Sequence, residues 1–220
     1  MRWRFALLVV AVLVAILVAG LLSSPPGAAT VHSESISAPT EQVESSGSVS
    51  TSAKGAQVRH VFVRTKGSPD SPRVLIVGDS TTVHMIGPFT AALEAKGVRA
   101  TIDATSGRTT REGRAVLTSY LPDDFDYVVV LLGANGRREN ALRDMRALRA
   151  MGVDTVATVQ TPRRRRVNAA VRQVFGSDYI AWAGYAGRHG IRTTDGKHYT
   201  KRDYRARARY LAAQIAIRAS

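Results

Sequence analysis

The 220-residue chain contains no cysteine. That absence excludes a disulfide scaffold, a thiol nucleophile, a cysteine-ligated zinc or iron–sulfur site and a lipid attached through an N-terminal cysteine, while leaving the compartment open. Aromatic residues make up only 6% of the chain, and acids are scarce, with 17 Asp plus Glu against 31 Lys plus Arg. Histidine is also rare: His32, His60 and His189 have no second candidate ligand at close spacing, so no metal site is expected.

The excess of base is not spread evenly. Arg2, Arg4 and Lys54 balance Glu34, Glu41 and Glu44, so the whole net charge of +14 falls on residues 58–220. Residues 5–22 form an uncharged apolar run of 18, preceded by Arg2 and Arg4, the pattern of a membrane-directed segment whose positive end stays in the cytoplasm. The run is longer than the roughly 7 to 15 apolar residues of a cleaved signal core, which favours a retained single-pass anchor. The small residues 27–29 after Pro25 and Pro26 keep cleavage and secretion as the alternative. Either way, the rest of the chain is expected outside the cytoplasm. Residues 23–57 are rich in Ser, with Pro, Thr, Ala and Gly and no aromatic residue, and read as a disordered linker. Residues 58–220 then make one folded domain.

Within that domain, short apolar runs alternate with amphipathic stretches, the signature of an α/β fold with a parallel sheet. The strongest strands are expected over 73–77 and 127–132, where continuous Val, Ile and Leu suit burial on both faces. Weaker strands are read over 58–63, 98–104, 154–159 and 179–182, and helices over 88–96, 111–120, 139–151, 168–175 and 201–219.

Three motifs follow expected strands: Gly78-Asp79-Ser80, Ser106-Gly107 and Gly133-Ala134-Asn135. The carboxyl ends of parallel strands share one edge, so the three should converge there. A fourth, Asp195-Gly196-Lys197-His198, precedes the last helix. A serine becomes nucleophilic when a base takes its proton. His198 suits that base, with Asp195 fixing its tautomer. The backbone N–H groups of Ser80 and Gly107 and the amide of Asn135 are candidate donors to an oxyanion.

In type and order these four blocks resemble those of the SGNH (GDSL-type) hydrolases, over residues 73–220. The resemblance implies a three-layer α/β/α, flavodoxin-like fold, Ser80 as nucleophile, Asp195 and His198 as its triad partners, Gly107 and Asn135 as oxyanion donors, and no cofactor. It implies action on esters. Thr81 stands where the family often has Leu, and Gly136 where it often has Asp after the block-three Asn, departures that alter the pocket wall and the support of Asn135.

Each motif also has a plainer reading: a capped strand-to-helix turn at Asp79-Ser80, turn residues at Gly107 and Asn135, and a tight turn at Asp195-Gly196. Asp79, Thr81, His84 and Tyr199 are candidate pocket residues, with His84 four positions after Ser80. Trp182, Tyr185 and Tyr199 suit either stacking on a sugar or packing. The run 163–166 and the series Arg202, Arg205 and Arg209 read as a solvated face or as a surface attracting anionic lipid heads or acidic envelope polymers. Nucleic acid is not expected outside the cytoplasm. The sequence thus points to an extracytoplasmic serine esterase that removes or transfers short, O-acetyl-like acyl groups on an acylated cell-envelope glycan or glycolipid. The competing reading is a non-catalytic module that keeps the fold and binds an envelope polymer.

Overall fold

The structure, a computed structural model, describes residues 49–51, 57–120, 125–159 and 164–220; the expected membrane segment 5–22 and most of the linker lie outside the described residues. Seven strands form the sheet: β1 (Val49–Thr51), β2 (Gln57–Arg64), β3 (Arg73–Gly78), β4 (Arg99–Thr105), β5 (Tyr127–Leu131), β6 (Thr155–Ala157) and β7 (Tyr179–Ile180). Their spatial order is β1-β2-β4-β3-β5-β6-β7. From β4 to β7 all neighbours are parallel, in the order expected of a doubly wound sheet.

The edge departs from the expected parallel sheet. β2 runs antiparallel to β4, pairing His60 with Thr105 and Arg64 with Thr101, and β1, inside the stretch read as linker, runs antiparallel to β2. Chain length explains the reversal: residues 65–72 hold no helix, and a parallel crossover needs about a dozen residues or more.

Alternation along the strands divides the core in two. Val74, Ile76, Val129 and Leu131 face one side with α2 (Ile86–Glu94), α6 (Trp182–Arg188) and α7 (Lys201–Ala219). Leu75, Val77, Val128 and Val130 face the other with α3 (Thr110–Tyr120), α4 (Ala141–Ala150) and α5 (Arg165–Phe175). The result is three layers, because a strand apolar on both faces needs a helix layer on each. On α7 the buried positions Tyr204, Arg207, Ala208, Leu211, Ala212 and Ile215 recur at helical spacing, while Arg202, Arg205 and Arg209 stay exposed.

Besides β1, two helices among the described residues are not expected from sequence, the short α1 (Ser80–Val83) and α6. Apolar periodicity cannot signal a one-turn helix such as α1. The strand expected over 179–182 ends at Ile180, and Trp182 instead opens α6 with its indole fully buried. Gly78 ends β3 where the chain turns into α1. A Cβ there would stand 2.4 Å from Thr82 Oγ1 and 2.5 Å from Thr82 Cβ, and Thr82 is β-branched and itself buried. Gly78→Ala is expected to cost about 1–3 kcal/mol by overpacking, read by urea denaturation; a cost below about 0.5 kcal/mol would mean that α1 yields without strain.

Candidate active site

Ser80 owes its position to the residue before it. Asp79 is the N-cap of α1, with extended backbone, and its Oδ1 accepts from the Thr81 N–H at 2.9 Å and the Thr81 hydroxyl at 2.7 Å. Both residues are buried, as is Ser80, and this pair of hydrogen bonds braces the turn. Asp79 Oδ2 is buried without a hydrogen-bond partner among the described residues.

The loop before α7 is organised by Asp195. Its Oδ1 accepts the N–H groups of Lys197 at 2.9 Å and His198 at 2.7 Å, and its Oδ2 lies 2.7 Å from His198 Nδ1. Gly196 completes this turn at φ +83°, a conformation that favours glycine. The backbone N–H of His198, then its imidazole, then the N–H of Lys197 hold the Asp195 carboxyl well below the usual carboxylate range. An ionised carboxylate only accepts, so His198 Nδ1 carries the proton. That leaves the Nε2 lone pair toward Ser80 Oγ, 3.2 Å away. The structure therefore brings Ser80, His198 and Asp195, expected together from sequence, into one hydrogen-bonded series.

His84 lies beside this series. Its ring meets that of His198 edge-on at 5.1 Å and stacks on Tyr204 at 5.6 Å. Partial desolvation, then His198 and Arg59, push its pKa below the ordinary histidine value. Tyr199, a candidate for the pocket or for packing, is buried: its hydroxyl accepts from Trp182 Nε1 at 2.9 Å, and the Arg207 guanidinium lies 5.9 Å from the centre of each ring. Among the described residues no group of three His, Asp or Glu side chains is placed to hold a metal ion.

Gly107 and Asn135 meet through a residue the sequence reading passed over, Arg108. Its buried guanidinium donates to Asp103 Oδ1 at 2.6 Å, Asp103 O at 2.8 Å, Thr105 Oγ1 at 2.7 Å and Gly78 O at 3.3 Å. Its own carbonyl accepts from Asn135 Nδ2 at 3.2 Å, while Lys197 Nζ donates to Asn135 Oδ1 at 3.2 Å. These two contacts fix the amide's orientation and leave its second N–H uncommitted among the described residues. The N–H groups of Ser80 and Gly107 likewise meet no acceptor among the described residues. Gly107 has φ +83° and open space where a Cβ would stand. Arg164, from the basic run, is not simply solvated: it donates to Gly136 O at 3.0 Å and to Ala134 O.

Asp103 offered a signal for Arg108, since a carboxylate inside a buried strand requires a cation nearby. Burial pushes its pKa up, but hydrogen bonds from Arg108, Tyr120 and His60 outweigh this and set it below the ordinary aspartate value.

No family model and no curated protein matches the chain in sequence. Among solved structures it is similar to the C-terminal catalytic domain of peptidoglycan O-acetyltransferase A (OatA) from Streptococcus pneumoniae, determined with a methylsulfonyl adduct: 21% identity, TM-score 0.52, 67% of this chain and 92% of that one. The two share a fold. A thioesterase domain from the curacin biosynthetic pathway (14% identity, TM-score 0.30, covering 52% and 44%) and Est1E from Butyrivibrio proteoclasticus (17%, 0.28, 52% and 50%) are more distant.

Arg108→Met should leave Asp103 buried without its cation and cost about 3–5 kcal/mol, measured as a fall in unfolding free energy; a loss under 1 kcal/mol would remove Arg108 from this structural role. The lowered Asp103 pKa stabilises the fold above about pH 4, the unfolded value, and that stabilisation is lost as pH falls through the folded value. Asp103→Asn should therefore flatten the acid limb of a stability–pH profile.

Proposed function

We propose that the chain is a serine-dependent acyl-transferring enzyme acting outside the cytoplasm on short, acetyl-like esters of a cell-envelope glycan or glycolipid. The observation that carries this reading is the series Ser80 Oγ to His198 Nε2 at 3.2 Å and His198 Nδ1 to Asp195 at 2.7 Å. The order of the four sequence blocks supports it.

In the proposed cycle Ser80 Oγ bonds to the acyl carbon as its proton passes to His198 Nε2, and the carbonyl oxygen becomes an oxyanion. The uncommitted N–H groups of Ser80, Gly107 and Asn135 donate to that oxyanion. The intermediate collapses, the bond from the acyl carbon to the leaving oxygen breaks, and His198 returns the proton to that oxygen. Asp195, held ionised, stabilises the imidazolium in between. A second oxygen nucleophile then gives its proton to His198 as it bonds to the acyl carbon, the bond from that carbon to Ser80 Oγ breaks, and His198 returns the proton to Ser80 Oγ. Water as that nucleophile makes the enzyme an esterase; a sugar hydroxyl makes it a transferase. The pneumococcal domain of like fold is described as a peptidoglycan O-acetyltransferase, which favours a glycan hydroxyl as acceptor. The chemistry calls on no cofactor.

Incubation of the full chain with a fluorophosphonate, followed by intact-mass analysis, should give one adduct, absent in Ser80→Ala and much slower to form in His198→Ala. No adduct on the wild-type chain would favour the non-catalytic module. With p-nitrophenyl acetate, Asn135→Ala should lower kcat about 10²–10³-fold at unchanged thermal stability, since one oxyanion donor is worth about that much; an unchanged kcat would take Asn135 out of the oxyanion site.

A further inference from the structure

The loops that hold Gly107-Arg108 and Asn135-Gly136 are also the head of a groove. It starts at Thr109 and Gly136 and runs between α3 and α4 as far as Thr118 and Met151, with a volume of about 860 Å³, in the range of sites for drug-sized ligands. Four guanidinium groups line it, those of Arg111, Arg114, Arg137 and Arg143, against a single carboxylate, Asp144.

The charges inside this groove do not cancel. Asp144 is shared between Arg114 at 3.9 Å and Arg143 at 3.8 Å, contacts too long for hydrogen bonds. Arg111 and Arg137 are exposed and have no carboxylate within ion-pair reach among the described residues. Arg114 Nε is buried without a hydrogen-bond partner. A cleft with an excess of one charge concentrates ligands of the other, and the planar guanidinium fork matches a carboxylate.

The lining also discriminates between anions. Met151 is the only large apolar side chain in its lining and no aromatic ring lines it, which gives little purchase to a long acyl chain or to base stacking on an aromatic face. A hydrated polymer carrying carboxylates suits it better. The head of the groove adjoins the residues around the series: Arg108, next to Thr109, accepts from Asn135, next to Gly136, and Lys197 donates to Asn135 from within the Asp195–His198 turn.

We propose that this groove is the polymer subsite of the enzyme, binding a carboxylate-bearing polysaccharide strand and presenting one of its hydroxyls or esters to Ser80. The inference rests on the acyl-transfer reading and supplies its substrate class, an anionic rather than a neutral glycan.

The test uses the full chain in detergent with Ser80→Ala, so that binding is read without turnover. Titration calorimetry with trigalacturonate should show binding, and the fully methyl-esterified trimer should bind at least about tenfold more weakly. Adding Arg111→Ala and Arg137→Ala should weaken trigalacturonate about tenfold or more, given the strength of charge-assisted hydrogen bonds, with circular dichroism unchanged. Equal affinity for the charged and esterified trimers, or affinity indifferent to the two arginines, overturns the proposal. So does arginine-dependent binding of phosphatidylglycerol vesicles without binding of the trimer, which reassigns the groove to a membrane surface. A fluorophosphonate adduct on the wild-type chain without groove binding defeats this inference alone. Groove binding without an adduct defeats the serine reading and leaves a glycan-binding module.

Discussion

One buried guanidinium sets the edge on which this domain's chemistry would take place. Arg108 is 7% exposed and carries a full charge into the protein, a cost borne only because Asp103 and a ring of carbonyl and hydroxyl oxygens receive it. Through Gly78 O it reaches the end of β3, through Asp103 the strand β4, and through its own carbonyl Asn135 beyond β5. The ends of three parallel strands are thereby referred to a single side chain. Turns that would otherwise vary independently are held in register.

The two halves of the hydrogen-bonded series are built on different principles. Ser80 is placed by burial: its neighbours Asp79, Thr81 and Thr82 are all packed beneath the sheet edge. His198 is placed by a local turn, because Asp195 three residues earlier binds both its backbone and its ring while lying largely in solvent. Orientation of the imidazole therefore depends little on distant packing. Exposure of the carboxylate would ordinarily weaken its hold on a histidine, and the two backbone N–H donors offset this by keeping it ionised.

Much of this was legible in the sequence, and the reasons differ by element. Strands such as β3 and β5 declared themselves because burial on both faces demands unbroken Val, Ile and Leu, and α7 because its apolar residues keep helical spacing over five turns. That Ser80, His198 and Asp195 would come together was legible because histidine is rare in this chain, Asp195 lies three residues before His198, and Ser80 closely follows the end of a strand. What sequence leaves unread is decided by tertiary packing. Sequence leaves Tyr199 open between stacking and packing, and only the fold shows the indole N–H from Trp182 and the guanidinium of Arg207 that hold it. Asp79 and Thr81 are candidates for the pocket from sequence, and the fold adds the N-cap geometry by which Asp79 holds Thr81. The antiparallel edge at β2 turns on the length of one loop. Arg108 and Lys197 went unnoticed because basic residues are so abundant here that none stands out by type, and only their partners distinguish them.

The bond between Ser80 and His198 closes a span of 118 residues. Ser80 belongs to the first parallel strand and its turn, while His198 arrives just ahead of α7, the last element, which seats against α2 through Phe89, Leu93, Tyr204 and Leu211. Contacts of such long sequence separation form late, since closing the loop costs entropy before it is rewarded. A chain still emerging, with residues 195–198 not yet delivered, would therefore carry Ser80 on a nearly complete sheet without its histidine partner. The pairing of this serine with its histidine is thus timed by the order in which the polypeptide is delivered.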